Sequence, residues 1–257
     1  MKRVWRSWLG AAAAIAAVWL APQCGAQPAP ALPAIAGEIA GALSAWPGAP
    51  ALRWRCTLAP GGDVGTVQVI LTGEGEGSEL EVALTARPDG AIEWQLRRAE
   101  LDLAVWAPAL AARWPQLSGY FCTGKVSLAG AGVFQAGVVS GNAIVRLADG
   151  RVENLADKLV VEGIELTFAL DDLTNLHSAP AQSLSWRDGK CGDIPLGSGR
   201  SLFSLAKDTV RVERGEWSVM GGSLVLSPFS VNPTAPELEI EADVTQPDVA
   251  ALLPLLP

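Results

Sequence analysis

Alternation dominates the chain. From Ile164 to Leu170, the large residues Ile164, Leu166, Phe168 and Leu170 are separated by Glu165, Thr167 and Ala169. A strand turns successive side chains to opposite sides, so this pattern predicts a sheet with one dry face and one wet face. The same period recurs at Leu80, Val82 and Leu84, and at Ile92, Trp94 and Leu96 against Glu93, Gln95 and Arg97. It is sharpest near the C-terminus, where Leu238, Ile240, Ala242 and Val244 alternate with Glu237, Glu239, Glu241 and Asp243.

Residues 51–98 read as a meander of four strands, ALRWRCTL, GTVQVILTG, SELEVALTA and GAIEWQLRR. The breaks PGGDVG, GEGEGS and RPDG carry the glycine, proline and aspartate that tight reversals require. Residues 117–245 resume the pattern in YFCTGKVSLAG, GVFQAGVVSG, NAIVRLADGRV, KLVVEGIELTFAL, QSLSWRDG, RSLFSLAKD, TVRVERGEW, SLVLSPFSV and ELEIEADV. The long helical crossovers that parallel strands need are missing from this pattern, which predicts a largely antiparallel sheet.

Two stretches predict helix instead. Ile35, Ile39 and Leu43 recur at i, i+4 and i+8, which suits a short amphipathic helix over 32–46. Trp106, Leu110 and Trp114 recur at helical spacing over 104–115, with Pro108 expected in the first turn of a helix starting near Ala107. Asp102, Asp172 and Asp248 each follow a strand and are expected to cap a helical turn. The expected fold is therefore mainly β: an elongated, curled antiparallel sheet, either a β-groove or an open sandwich, with one or two short helices. So few helices cannot cover the dry face, so the sheet must curl or expose a large apolar patch. Ile164, Leu166, Phe168, Leu170, Val210, Val212, Leu238 and Ile240 are expected to lie on that apolar surface.

Residues 1–26 have the layout of an export signal. Lys2, Arg3 and Arg6 precede an apolar run from Trp8 to Ala21, and small residues follow, with cleavage expected after Ala26. That run is shorter than the ~20 residues that span a bilayer, although an uncleaved anchor is the alternative. Residues 27–50 form an Ala/Pro-rich segment, and 51–257 the β domain. Loss of Lys2, Arg3 and Arg6 takes the formal net charge from −8 to −11. Such an acidic chain is unsuited to nucleic acid or to anionic headgroups. An exported location, periplasm or cell envelope, would leave Cys56, Cys122 and Cys191 under oxidising conditions. Their number allows one bridge and one thiol, or three thiols.

Candidate chemistry is sparse. His177 is the single histidine, with no nucleophile motif beside it, and the chain holds no GxSxG, HExxH or P-loop. Asp171 and Asp172 are read as turn or capping residues, since further oxygen ligands do not follow at loop spacing. No enzyme, cofactor or metal centre is expected. Of the ten tryptophans, Trp94, Trp106 and Trp114 are expected in the core, while Trp54 and Trp186 flank arginines on which an indole can stack.

From about Ala99 onward the order of segments resembles the YdbH-like family of bacterial envelope proteins, related in architecture to AsmA-like proteins. The segments are DLAVWAPAL, SGYFCTGKVSL, GVVSGNAIVRLADGRV, VEGIELTFALDDL, APAQSLSW, DIPLGSGRSLFSLAKDTVRVERGEWSVMGGSL and DVAALL. The most telling positions are Gly163, Pro180-Ala181-Gln182, Gly192, Trp217 and Met220-Gly221-Gly222. The resemblance implies intermembrane transport of phospholipids, with acyl chains held in a hydrophobic β-groove, and other envelope proteins or further copies as partners. A dicarboxylate-transport label also attaches to the family, but no cluster of Arg or Lys is placed to hold two carboxylates. At 257 residues the chain is shorter than typical members, and about twelve strands make a sheet only roughly 60 Å wide. The alternative function is a non-catalytic structural or interaction module of the envelope.

Overall fold

The computed structural model describes residues 35–43, 50, 52–60, 67–87, 89–113, 115–207, 209–219, 221–232 and 240–245. The leader, Trp114, Leu238 and Asp248 lie outside the described residues, as do the side chains of Trp54 and of residues 35–43. Strands make up 73% of the described residues and belong to one antiparallel sheet of seventeen strands. The fold is therefore mainly β.

The first strands are β1 (Ile35–Leu43), β2 (Leu52–Pro60), β3 (Val67–Gly75), β4 (Ser78–Ala86) and β5 (Ile92–Asp102). Two long strands follow, β6 (Tyr120–Gln135) and β7 (Val138–Asn154), then β8 (Leu159–Asp172). Each of these eight pairs with the next. Three short pieces, β9 (His177–Ser178), β10 (Gln182–Trp186) and β11 (Asp188–Cys191), act as one broken strand beside β8. The order continues through β12 (Ile194–Pro195) and β13 (Gly199–Ala206) to β14 (Thr209–Val219). Then come β15 (Gly222–Leu226) and β16 (Phe229–Val231), both on β14, and finally β17 (Ala242–Thr245) on β15.

Three expectations are corrected. Residues 35–43 form β1, not a helix. The offsets of four and eight that suggested a helix are also multiples of two, and Gly37 and Gly41 fill the remaining positions of one strand face, where a helix interior would be weakened. GVFQAGVVSG is not one strand, because a turn at Ala136-Gly137 divides β6 from β7, with φ of 50° and 81°. In ELEIEADV, of which 237–239 lie outside the described residues, the described strand starts at Ala242, and Ile240 precedes it, 46% exposed.

The helix α1 (Leu103–Arg113) starts earlier than expected, so Pro108 sits in its interior. The backbone N–H of Ala104 donates to Asp102 Oδ1 at 2.9 Å, which satisfies one of the orphan donors of the first turn. Asp172 works in the same way, accepting from the N–H groups of Thr174 and Asn175 at 2.8 and 3.1 Å.

Residues directly opposed in an antiparallel ladder project to the same side of the sheet. Following the pairs across the strands, one face is almost wholly apolar and the other carries the charge. Arg98–Glu79 at 2.7 Å, Arg97–Glu81 at 3.3 Å and Arg151–Glu162 at 2.6 Å all stand on the wet face. These pairs are exposed and contribute little to stability.

The dry face is not evenly covered. Among the described residues, the buried apolar side chains fall mostly between Leu52 and Ala109, and from β6 onward only Ile164 and Leu226 join them. Cys56, Val69, Leu84 and Trp94 form the core cluster, against which Val139 and Leu173 pack from the far side. That contact requires the sheet to curl. Trp106 closes one end of this core, donating its indole N–H to Ser78 Oγ at 2.7 Å, with Ala109 buried beside it.

Glycines allow the curl. Gly132 and Gly141 oppose each other across β6 and β7, and a Cβ on Gly132 would lie 1.9 Å from the Ser140 carbonyl oxygen. A second close approach, less tight, falls at the register shift between Thr123 and Lys125, where a Gly124 Cβ would lie 2.8 Å from the Gly150 Cα. Glycine at such points lets the backbones approach and the sheet crease.

Candidate functional site

The dry face from β6 to β16 is the candidate site. One row crosses it: Leu128 opposes Val145, Val145 opposes Phe168, Phe203 opposes Val212, and Val212 opposes Phe229. All six are half-buried. A parallel row joins Leu147, Leu166 and Leu184. Near its edge Trp217 stands between Gly199 and Leu224.

The structure brings six of the eight sequence-nominated residues onto this surface. Ile164, Leu166, Phe168 and Leu170 line it from β8, and Val210 and Val212 from β14. Ile164 is buried, and the other five are half-buried. Ile240 precedes β17 at the margin of the sheet, and Leu238 lies outside the described residues. The contribution of β7 was legible in the alternation of Ala143, Val145 and Leu147. That of Phe203 was not, because its partner Phe168 lies two ranks away.

Phe168 and Phe203 stack with ring centroids 5.8 Å apart. Between their strands sits Gln182, which is buried and opposes Phe203. Its Oε1 accepts from the Ala169 N–H at 2.6 Å, and its Nε2 donates to the Ala179 carbonyl at 2.9 Å. The amide therefore satisfies the backbone where β9 and β10 are interrupted, and offers no polar group to a ligand. Ser178 behaves alike: Leu205 N–H donates to its Oγ at 2.8 Å, and the hydroxyl donates to the Ala179 carbonyl at 3.0 Å.

At the other end of the face Trp186 and Trp217 meet edge to face at 5.5 Å. Trp186 lies flat on Gly199, where a Cβ would fall 2.1 Å from the indole, and donates to the Gly197 carbonyl at 3.0 Å. Trp217 donates to Ser201 Oγ at 3.3 Å. The aromatic partner of Trp186 is thus Trp217. Arg187 instead covers Gly163, whose φ of 62° lets β8 bulge beneath the guanidinium.

The chemistry of the face is neutral. Glu213, a carboxylate on β14, accepts from the Ala181 N–H at 3.2 Å. Arg97, Arg98 and Arg151 are paired with glutamates on the opposite face. Cys56, Cys122 and Cys191 are all free thiols, and burial pushes the pKa of Cys56 and Cys122 upward. His177 Nδ1 lies 2.8 Å from Asp171 Oδ1, with both side chains exposed. Among the described residues, no group of three or more His, Cys, Asp or Glu side chains is placed to hold a metal. No described helix is long and apolar enough to cross a membrane.

Comparison of the chain with family models, with curated proteins and with solved structures yields no match.

Proposed function

We propose that this protein carries phospholipid acyl chains in a hydrophobic β-groove of the bacterial envelope, without catalysis. The observation that supports this reading most is the contrast along the dry face. The first strands close over a buried core, while the later ones present a continuous apolar surface that stays half-exposed. A soluble domain leaves such a surface open at a cost of roughly 25 cal/mol per Å² of apolar area, and large open patches mark binding sites. The concavity suits a flexible hydrocarbon chain. The polar groups set into the face are satisfied internally, so an ionic ligand such as a dicarboxylate finds no partner there. The resemblance to YdbH-like proteins points to the same substrate class and to transport between membranes.

The test is to purify the chain from an envelope extract and analyse it for bound phospholipid by mass spectrometry, alongside Phe168→Asp. An open groove predicts lipid in the wild type, with lipid lost and melting nearly preserved in the variant. Lipid-free wild type with collapse of the variant would instead establish a closed structural module.

A further inference from the structure

One end of the sheet projects beyond β5. β5 stops at Asp102, opposite Lys125, whereas β6 continues outward to Tyr120, a further 17 Å or so at the rise of a strand. The wet face changes character at this tip. Phe121 is 61% exposed, Leu155 67% and Leu117 40%. Phe121 opposes Glu153, Leu155 follows two residues later in the turn before β8, and Leu117 ends the short 3-10 turn (Pro115–Leu117) just before β6. The three are thus gathered at one end by the register.

Cationic side chains flank them. Lys158 closes the turn, donating its N–H to the Leu155 carbonyl at 3.4 Å. Lys190 stands on β11, two strands from Glu153 in the same row. Tyr120 and Cys122, which neighbour Phe121 in sequence, point to the opposite side and extend the dry face to this same tip.

We infer that this tip seats in a phospholipid surface. Leu117, Phe121 and Leu155 enter the boundary between headgroups and acyl chains, and Lys158 and Lys190 reach the phosphates. Large exposed apolar side chains beside long cationic ones are the composition of interfacial insertion, and Glu153, which opposes Phe121, is held by Arg151 at 3.0 Å. A second copy of the chain fits less well. Three partly exposed side chains offer a few hundred Å² at most, against about 800 Å² per partner in a stable interface. Seating the tip would bring the open end of the dry face to the lipid, so the inference rests on the acyl-chain reading for what then passes along the groove.

The test uses the full chain and vesicles of phosphatidylcholine and phosphatidylethanolamine, separated by flotation. Phe121 and Leu155 are exposed, so the double variant Phe121→Asp/Leu155→Asp should keep its melting temperature, and Phe121→Ser/Leu155→Ser serves should the aspartates perturb folding. Loss of two inserted side chains should lower vesicle partitioning by about tenfold or more, with co-purified phospholipid unchanged. A wild type that does not float, or variants that float equally well, would overturn the inference. So would a wild-type dimer in size-exclusion chromatography that the variants convert to monomer. Normal flotation of a wild type that carries no lipid would instead count against the groove reading alone.

Discussion

The rings of Phe168 and Phe203 approach to 5.8 Å between centroids, although β10 lies between their backbones. Two strand spacings separate the main chains by about 9.6 Å, so the rings lean together over Gln182 and the face beneath them is concave. Aromatic pairs in this geometry contribute beyond their buried area. A double-mutant cycle with Phe168→Ala and Phe203→Ala, followed by urea unfolding, should give a coupling energy of about 1 kcal/mol. Simple additivity would mean that the two rings do not support each other.

Gln182 should be costly to remove for a different reason. Gln182→Leu keeps the apolar volume but strands the Ala169 N–H and Ala179 carbonyl that the amide now satisfies. Unfolding should show a loss of about 1–3 kcal/mol. A neutral outcome would mean that water replaces the amide.

The crease in β6 and β7 predicts a contrast between two glycines. Gly141 has φ of 136°, and its Cβ would fall 2.2 Å from the Ala131 carbonyl oxygen, whereas Gly137 has φ of 81° with open space around it. Gly141→Ala should cost roughly 3 kcal/mol or more, and Gly137→Ala about 1 kcal/mol. Equal melting temperatures for the two variants would show that the sheet is not held shut at this point.

Asp172 makes stability depend on acidity. Hydrogen bonds from the Asn175 side chain and backbone, and from the Thr174 backbone, lower its pKa below the ordinary carboxylate value. The carboxylate is thus favoured in the folded chain. Its contribution is fully present above the unfolded pKa of about 3.9 and fades as pH falls through the lower folded value. Melting curves of Asp172→Asn should be flatter than wild type across that acidic window, and identical slopes would argue against the cap.

The thiols should react in order of exposure. Cys191 is exposed, while Cys56 is buried, and burial raises the pKa of both Cys56 and Cys122. A chromogenic disulfide reagent at neutral pH should modify Cys191 first, with Cys56 reacting only on unfolding. Rapid labelling of Cys56 in the native chain would place it outside the core.

Much of this fold could be read from local pattern. The alternation located the long strands, and glycine with aspartate located most turns, because both signals act over a few residues. The aspartate caps at Asp102 and Asp172 were equally local. What failed shows the limit of such signals. The spacing of Ile35, Ile39 and Leu43 fits two periods at once, and only pairing with β2 resolves it as a strand. The turn at Ala136-Gly137 was hidden because alanine in a left-handed conformation carries no turn signature. Of the site, the β8 and β14 residues were legible from alternation. The stacking of Phe168 on Phe203, the burial of Gln182 and the Trp186–Trp217 contact depend on curvature, which no short window contains.

The serial order of the strands has a consequence for how such a molecule can change size. In the described sheet, backbone pairing joins each rank to its immediate predecessor and successor along the chain, so a hairpin added between two neighbours lengthens the trough and leaves the other ladders intact. Stability then grows by nearest-neighbour increments, as in repeat arrays. Capacity for cargo becomes a matter of counting hairpins, and chains of very different length can share one cross-section.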